Sequence, residues 1–224
     1  MAEIIRSEGV VLKRRDFTES SRIVVVFTKS RGKVRLLAKG ARRPRNPFGA
    51  ALEPLTRGEY VFYWHAHKDL FVLGEASVLR ASRHLAEGAA LPYALAAAES
   101  VDKLTGDEDP DPHLYAALAA TIEALDQGYP ATPVLTRFLF VLCQRLGLTL
   151  EIGTCAACGH DAGAEGVFFE LAEGHCLCPG CRPAGSEGIK ISGAACAYAR
   201  GLQTISLGQL DRIKVTPAVA TETL

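Results

Sequence analysis

The chain lacks any apolar run approaching the roughly 18 residues that a membrane-spanning helix needs. Its opening stretch, MAEIIRSEGVVLKR, has an acid early and neither an apolar h-region nor a small-residue cleavage motif, so a cytoplasmic location with no membrane partner is expected. Missing too are a G-x-x-x-x-G-K-[ST] phosphate loop, a G-x-S-x-G nucleophile elbow and an H-E-x-x-H metal helix. Those absences disfavour an ATPase, a serine hydrolase and a metalloprotease, and the expectation is a non-enzymatic protein. There is no internal repeat or low-complexity tract, and the first 142 residues hold no cysteine. Net charge is also absent, with Lys plus Arg and Asp plus Glu at 25 each.

What is present argues for a folded chain. Over 224 residues, 48% are hydrophobic and 22% charged, which excludes wholesale disorder. The zero net charge is a cancellation between regions. Residues 1–80 hold 16 basic and 8 acidic residues, whereas residues 81–224 hold 9 basic and 17 acidic ones. Such asymmetry points to a polyanion as partner of the first part. Basic residues that merely solvate one domain are the plainer explanation, and their clustering in residues 29–45 weighs against it.

Periodicity changes near the same boundary. Short β-rich runs at about 8–15, 20–29, 33–40, 58–66 and 69–78 predict a five-stranded barrel of the oligonucleotide/oligosaccharide-binding (OB-fold) kind, with an SH3-like barrel as the alternative. Beyond it, Ala- and Leu-rich stretches predict helices over 81–105, 111–127 and 131–147, one or two more over 190–212, and a frayed final dozen residues. The expected class is multi-domain α+β: a barrel over 1–79, a helical domain over 80–150 and 186–224 packed against it, and an inserted zinc-finger region over 151–185.

Cys155-Ala-Ala-Cys158 and Cys178-Pro-Gly-Cys181 are two C-x2-C pairs separated by 19 residues, the spacing of a four-thiolate zinc site. Each tight turn brings two sulfurs to one side, and an intervening hairpin, with Val167 to Phe169 against His175 to Cys178, returns the second pair. Cys176 reads as a packed thiol, and Cys143 and Cys196 as core residues. His160 or His175 as a substitute ligand, a metal-free reduced cluster and a redox disulfide are the competing readings. A closed four-sulfur site supplies folding energy and no Lewis acid. A zinc deaminase would need Pro immediately before a C-x-x-C and an H-x-E, but Pro179 follows Cys178 and no H-x-E exists.

In the third strand, two-residue alternation places Lys33, Arg35 and Lys39 on one face and Val34, Leu36 and Ala38 toward the core. The loop that follows adds Arg42, Arg43 and Arg45, and Arg14 and Arg15 extend the patch from the end of the first strand. These eight are the candidate phosphate contacts. Tyr60, Phe62 and Trp64 alternate on one side of the fourth strand; they, Phe17 and Phe48 are candidates either for base stacking or for interior packing.

Glu8 to Leu12, Asp16-Phe17-Thr18-Glu19-Ser20-Ser21-Arg22, Phe27-Thr28, Gly32-Lys33 and Ala38-Lys39-Gly40-Ala41-Arg42-Arg43 together resemble the N-terminal barrel of the bacterial RecO family of recombination mediators. Leu52-Glu53-Pro54-Leu55, the Tyr60 to His65 strand, the helical middle and the Cys pairs extend the resemblance over nearly the whole chain. Some members lack the cysteines, so the zinc site rests on spacing. The resemblance implies a DNA repair and recombination protein that binds single- and double-stranded DNA, anneals complementary strands and binds RecR and the single-strand-binding protein SSB. It also implies help in loading RecA and a cytoplasmic, nucleoid-associated location. The residues by themselves do not choose DNA over RNA, and an RNA-binding barrel and zinc-ribbon module of translation or transcription is the alternative.

Overall fold

Alternating apolar residues from Glu3 onward build β1 (Glu3–Asp16), a strand long enough to serve two seams. The computed structural model describes residues 2–82, 84–85, 88–148, 150–161, 163, 165–171, 173–212 and 215–223. With β2 (Arg22–Thr28), β3 (Gly32–Ala38), β4 (Arg57–Trp64) and β5 (Phe71–Arg80), β1 closes a barrel in the order β1-β2-β3-β5-β4. Its first part pairs antiparallel with β4, from Glu3 opposite Trp64 to Val10 opposite Arg57, and its second part with β2, from Gly9 opposite Thr28 to Asp16 opposite Arg22. β3 and β5 meet in parallel at Leu36 and Phe71.

The interior is filled by Val11, Val24, Val26, Val34, Leu36, Tyr60, Phe62 and Phe71. Truncating one of these large buried aromatics to Ala costs about 3–5 kcal/mol by transfer and cavity effects together. A short 3-10 turn, Gly49–Leu52, lies between β3 and β4, and Phe48 and Leu52 join the same core. The buried Tyr60 hydroxyl donates to the Ala51 carbonyl at 2.8 Å, tying that turn to the barrel. Tyr60, Phe62 and Phe48 are therefore interior packing and not base platforms. Trp64 is half-buried against Phe71, with the Arg31 guanidinium 4.8 Å from its ring centroid and its indole N–H donating to Glu108.

A bulge in β1 decides which way its cations point. Val11 lies opposite Val26, both inward, but past the bulge Lys13 lies opposite Val25 and Arg15 opposite Ile23. Directly opposed residues share a face, and Val24 and Val26 are the inward members of β2. Lys13 and Arg15 are thus turned outward, and Arg14, opposite Val24, falls on the inward row at the barrel mouth.

The contacts divide the chain into two units, Met1–Tyr129 and Pro130–Leu224. The expected helix over 81–105 starts ten residues later, as α1 (Leu91–Leu104), because Pro92 lacks an N–H and suits only a first turn. α2 (Pro112–Asp126) is N-capped by the Asp111 carboxylate, which accepts from the backbone N–H groups of His113 and Leu114 at 3.0 Å. Both helices pack on β1, so the first unit runs beyond residue 79 and the helical region read as one domain is divided.

The second unit contains α3 (Ala131–Arg145), ended by Gly147 at φ 81°, and a three-stranded sheet. In that sheet β6 (Val167–Glu170) lies between β7 (His175–Leu177) and β8 (Ile189–Ile191). The strand Ile189–Ile191 corrects the helical reading of residues 190–212, which otherwise hold α4 (Gly193–Thr204) and a 3-10 turn, Leu207–Arg212. The tail is not simply frayed. It forms α5 (Pro217–Glu222), whose Glu222 carboxylate accepts from the Ser192 backbone N–H at 2.6 Å and hydroxyl at 2.9 Å, at the start of α4.

Lys33 is the main correction to the expected basic face. It points outward from β3, but its ammonium is buried at the C-terminus of α1, donating to the carbonyls of Asp102 at 2.6 Å and Thr105 at 2.8 Å. A cation at a helix C-terminus satisfies carbonyls that have no partner within the helix and complements the helix dipole. The loop after α1 completes the enclosure: the Glu108 N–H donates to the Lys33 carbonyl at 2.9 Å, and Gly32, at φ 62°, leaves room that the Asp109 backbone fills. Lys33→Met should therefore lower unfolding free energy by about 1.5–3 kcal/mol in denaturant titration; an unchanged midpoint would contradict the capping role.

Glu8, Arg57 and Tyr115 form a second link between barrel and helices. The Glu8 carboxylate accepts from Arg57 at 2.6 Å and from the Tyr115 hydroxyl at 3.1 Å. The Arg57 hydrogen bond above all holds Glu8 below its ordinary value of 4.5. Its contribution is complete above that ordinary value and is lost as pH falls through the lower folded one. In Glu8→Gln the corresponding part of the acid-side stability slope should disappear from melts at pH 3 to 6.

Candidate nucleic-acid interface and metal centre

The eight candidate cations separate by their partners. Besides the buried Lys33, Arg35 is held by Asp107 at 2.8 Å and Asp69 at 3.5 Å, and Arg14 by Glu53. Arg42 shares Asp16 with Arg22 and donates to the Thr18 carbonyl at 2.8 Å. These charges are compensated within the fold, and Arg14 lies off the outer face. Arg15, Lys39, Arg43 and Arg45 are exposed, and among the described residues no carboxylate pairs with any of them. The patch expected along β3 is thereby displaced to one end of the barrel, at the β1–β2 turn and the loop after β3.

Two adjoining hollows mark that end. One of about 350 Å3 is lined by Lys13, Arg14, Arg15, Ile23, Val25 and Arg35. The other, of about 400 Å3, is lined by Phe17, Thr18, Ser21, Leu37, Lys39 and Arg43 among others. They meet at the cross-strand pair Ile23 and Leu37. The counter-charges Asp16, Asp69 and Asp107 were not legible as such from the sequence, where Asp107 reads only as part of a helix break. The acid at 107 following a strand cation at 33 becomes a signal only once the parallel bridge between the two residues is known.

The second unit brings Cys155, Cys158, Cys178 and Cys181 together, with their four sulfurs all within 4.8 Å of one another. Tight turns place each pair: the Gly159 N–H donates to the Cys155 carbonyl at 2.8 Å, and the Cys181 N–H to the Cys178 carbonyl at 3.1 Å. The β6–β7 hairpin joins the pairs, and the Ala156 N–H donates to the Cys176 carbonyl at 2.8 Å. From α4, Arg200 clamps the first turn through Asp161 at 2.7 Å, a hydrogen bond that lowers the Asp161 carboxyl below its ordinary value.

The Cys178 backbone N–H above all, aided by those of Cys158 and Ala157, holds the Cys155 thiol down to about 6. The crowd of neighbouring thiols, Cys158 first, pushes Cys181 up to about 12. Four sulfurs brought this close are a donor set that could hold a metal ion. Cys176 and Cys196 pack with Val167 in a small core, and burial pushes both thiols up, as it does Cys143, which is only half-buried. His160 lies outside the sulfur cluster and offers the first turn its backbone carbonyl, which accepts from the Cys155 N–H at 2.9 Å.

Comparison with known proteins agrees with this arrangement. Residues 1–82 match the family model described as recombination protein O N terminal, and residues 85–224 the one described as recombination protein O C terminal. Among relatives, a protein from Anaeromyxobacter sp. (strain K) is 33% identical over 97% of this chain and 86% of its own length. One from Geobacter sulfurreducens is 38% identical over 84% and 78%, and one from Salinibacter ruber 31% identical over 98% and 84%. Each is named DNA repair protein RecO. With both halves matched in order and the relatives covered over most of their length, the chain belongs to the recombination protein O family.

Proposed function

We propose that this protein is a DNA repair and recombination mediator. In this reading it binds single- and double-stranded DNA through an OB-type barrel, anneals complementary strands, and with RecR assists RecA loading on SSB-coated DNA in the cytoplasm. The observation that carries the reading is the set of uncompensated cations, Arg15, Lys39, Arg43 and Arg45, at one end of the barrel. The family's naming for DNA repair supports it, as does the closed order β1-β2-β3-β5-β4 with a short turn between β3 and β4. OB barrels bind oligonucleotides on the face of their second and third strands and the loops beside it, and the free cations flank that face.

The mechanism is electrostatic. Cations with no internal counter-charge need not break an ion pair before meeting a phosphate, and each contact releases condensed counterions from the nucleic acid. Holding two complementary strands against the same cationic end offsets their mutual repulsion, and base pairing supplies the rest. No bond is made or broken in such annealing, so the reading assigns no catalysis and no nucleotide hydrolysis.

The four thiols are proposed to hold a structural zinc ion. Ligands about 2.3 Å from a tetrahedral centre lie roughly 3.8 Å apart, and Cys158 and Cys178 have their sulfurs at 3.9 Å. With four sulfurs bound the ion has no open position, and its contribution is to fold the region around β6, β7 and the two Cys turns.

The first test is a salt-dependent annealing assay. Replacing Arg15, Lys39, Arg43 and Arg45 with Gln singly should weaken binding to single strands and lessen the log–log salt slope by about 0.7 per phosphate contact removed. ATP should leave the annealing rate unchanged. A quadruple variant with wild-type affinity and slope would defeat the reading, and stronger competition by RNA than by DNA would favour the RNA-binding alternative. The second test is metal analysis with thiol titration. One zinc per chain with four protected thiols is expected, chelation should lower the melting temperature of the second unit, and three protected thiols would contradict a closed site.

A further inference from the structure

We propose that the hollow formed by Phe17, Thr18, Ser21, Leu37, Lys39 and Arg43 is a subsite for one unpaired nucleotide, with Phe17 stacking on its base and Lys39 and Arg43 holding its phosphates. The inference rests on the DNA-binding reading and deepens it, because it assigns the preference between single strand and duplex to one side chain.

Phe17 is 53% exposed, and among the described residues no ring or guanidinium stacks on it. Burial of the ring is not what holds it there. The turn that carries it is built rigidly: the Phe17 and Thr18 N–H groups donate to the Ser21 carbonyl at 3.1 and 3.3 Å, and the Ser21 N–H donates to the Thr18 hydroxyl at 3.1 Å. Arg42 ties the turn to the loop after β3, with its guanidinium on the Thr18 carbonyl and on Asp16 and its own N–H on the Ser20 carbonyl at 3.1 Å. A preformed platform loses little conformational entropy on binding.

The surroundings select the ligand class. Tyr63 is the other large aromatic exposed among the described residues, and it lies on a face shared with Glu59 and, opposite Val61, Glu75, whose cation Arg6 is already paired with both. Phe17 instead opens onto Lys39 and Arg43, with which no carboxylate pairs among the described residues. An aromatic face beside free cations suits a base attached to a phosphate. At about 400 Å3 the hollow falls within the 300–1,000 Å3 range of small-ligand sites, and Thr18 and Ser21 are among the residues that line it. A duplex keeps its base faces stacked internally and gains nothing from Phe17.

The test measures the intact chain with oligothymidine, an abasic strand of equal length and a duplex. Wild type should bind oligothymidine more tightly than the abasic strand, and Phe17→Ala should erase that difference with a loss of about 5- to 150-fold on oligothymidine, the equivalent of about 1–3 kcal/mol for one stacked base. Duplex affinity should stay within twofold. Phe17→Trp should restore binding and add emission, beyond that of Trp64, that oligothymidine quenches and the abasic strand does not. Unchanged oligothymidine affinity in Phe17→Ala overturns the stacking role. If Lys39→Gln and Arg43→Gln still weaken binding to all three ligands, the DNA-binding reading survives that result; if they do not, the reading itself fails. Retained DNA affinity with loss of a stoichiometric protein complex would assign Phe17 to a protein partner and overturn the proposal.

Discussion

Closure of the barrel through β1 is the constraint from which the rest follows. One strand hydrogen-bonds β4 with its first part and β2 with its second, so both seams depend on the same backbone. Gly9 sits where the two pairings overlap, and a Cβ there would lie 2.5 Å from a methyl of Val26. Just beyond, the bulge inverts the strand's alternation and turns Lys13 and Arg15 outward. An unbulged strand would aim those two cations into a core of Val, Leu and Phe, where an unpaired charge is prohibitively costly.

Charge within this unit is distributed by function. Toward α1, cations are consumed by structure: Lys33 caps the helix, Lys13 pairs with Asp102 and Arg35 pairs with Asp107. Toward the β1–β2 turn, Asp16 gathers Arg22 and Arg42 and so pins two loops together, and among the described residues no carboxylate pairs with Lys39, Arg43 or Arg45. Exposed pairs of this kind contribute little stability. Their consequence is positional, since they determine which cations remain free to meet a polyanion.

In the second unit the four sulfurs converge because two short turns and one hairpin leave few other arrangements. The sheet alone is small, and its core of Val167, Cys176 and Cys196 with a few half-buried neighbours buries little apolar surface. A bound cation shared by four thiolates would supply the folding energy that so small a core cannot. Asp161 and Arg200 link that centre to α4, which packs on α3 and α5.

Much of this was legible in the sequence because it is local. Short β-rich runs marked all five barrel strands, helical spacing marked α2 and α3, and the C-x2-C spacing singled out four candidate ligands that the fold brings together. What misled was also local: a helical reading of residues 81–90 and 190–192 carried two helices ahead of Pro92 and Ser192, the residues at which they start. The charge excess of the first 80 residues pointed to a polyanion as partner, but not to which cations the fold leaves unpaired. Whether Lys33 faces solvent depends on partners about 70 residues away and on a loop that bridges to β3, and whether Arg15 does depends on a bulge that reverses a face of β1. Sequence determined which groups the protein possesses and how neighbours alternate; only the closed chain, by bringing distant carboxylates to some cations and withholding them from others, decided which charges are left to act.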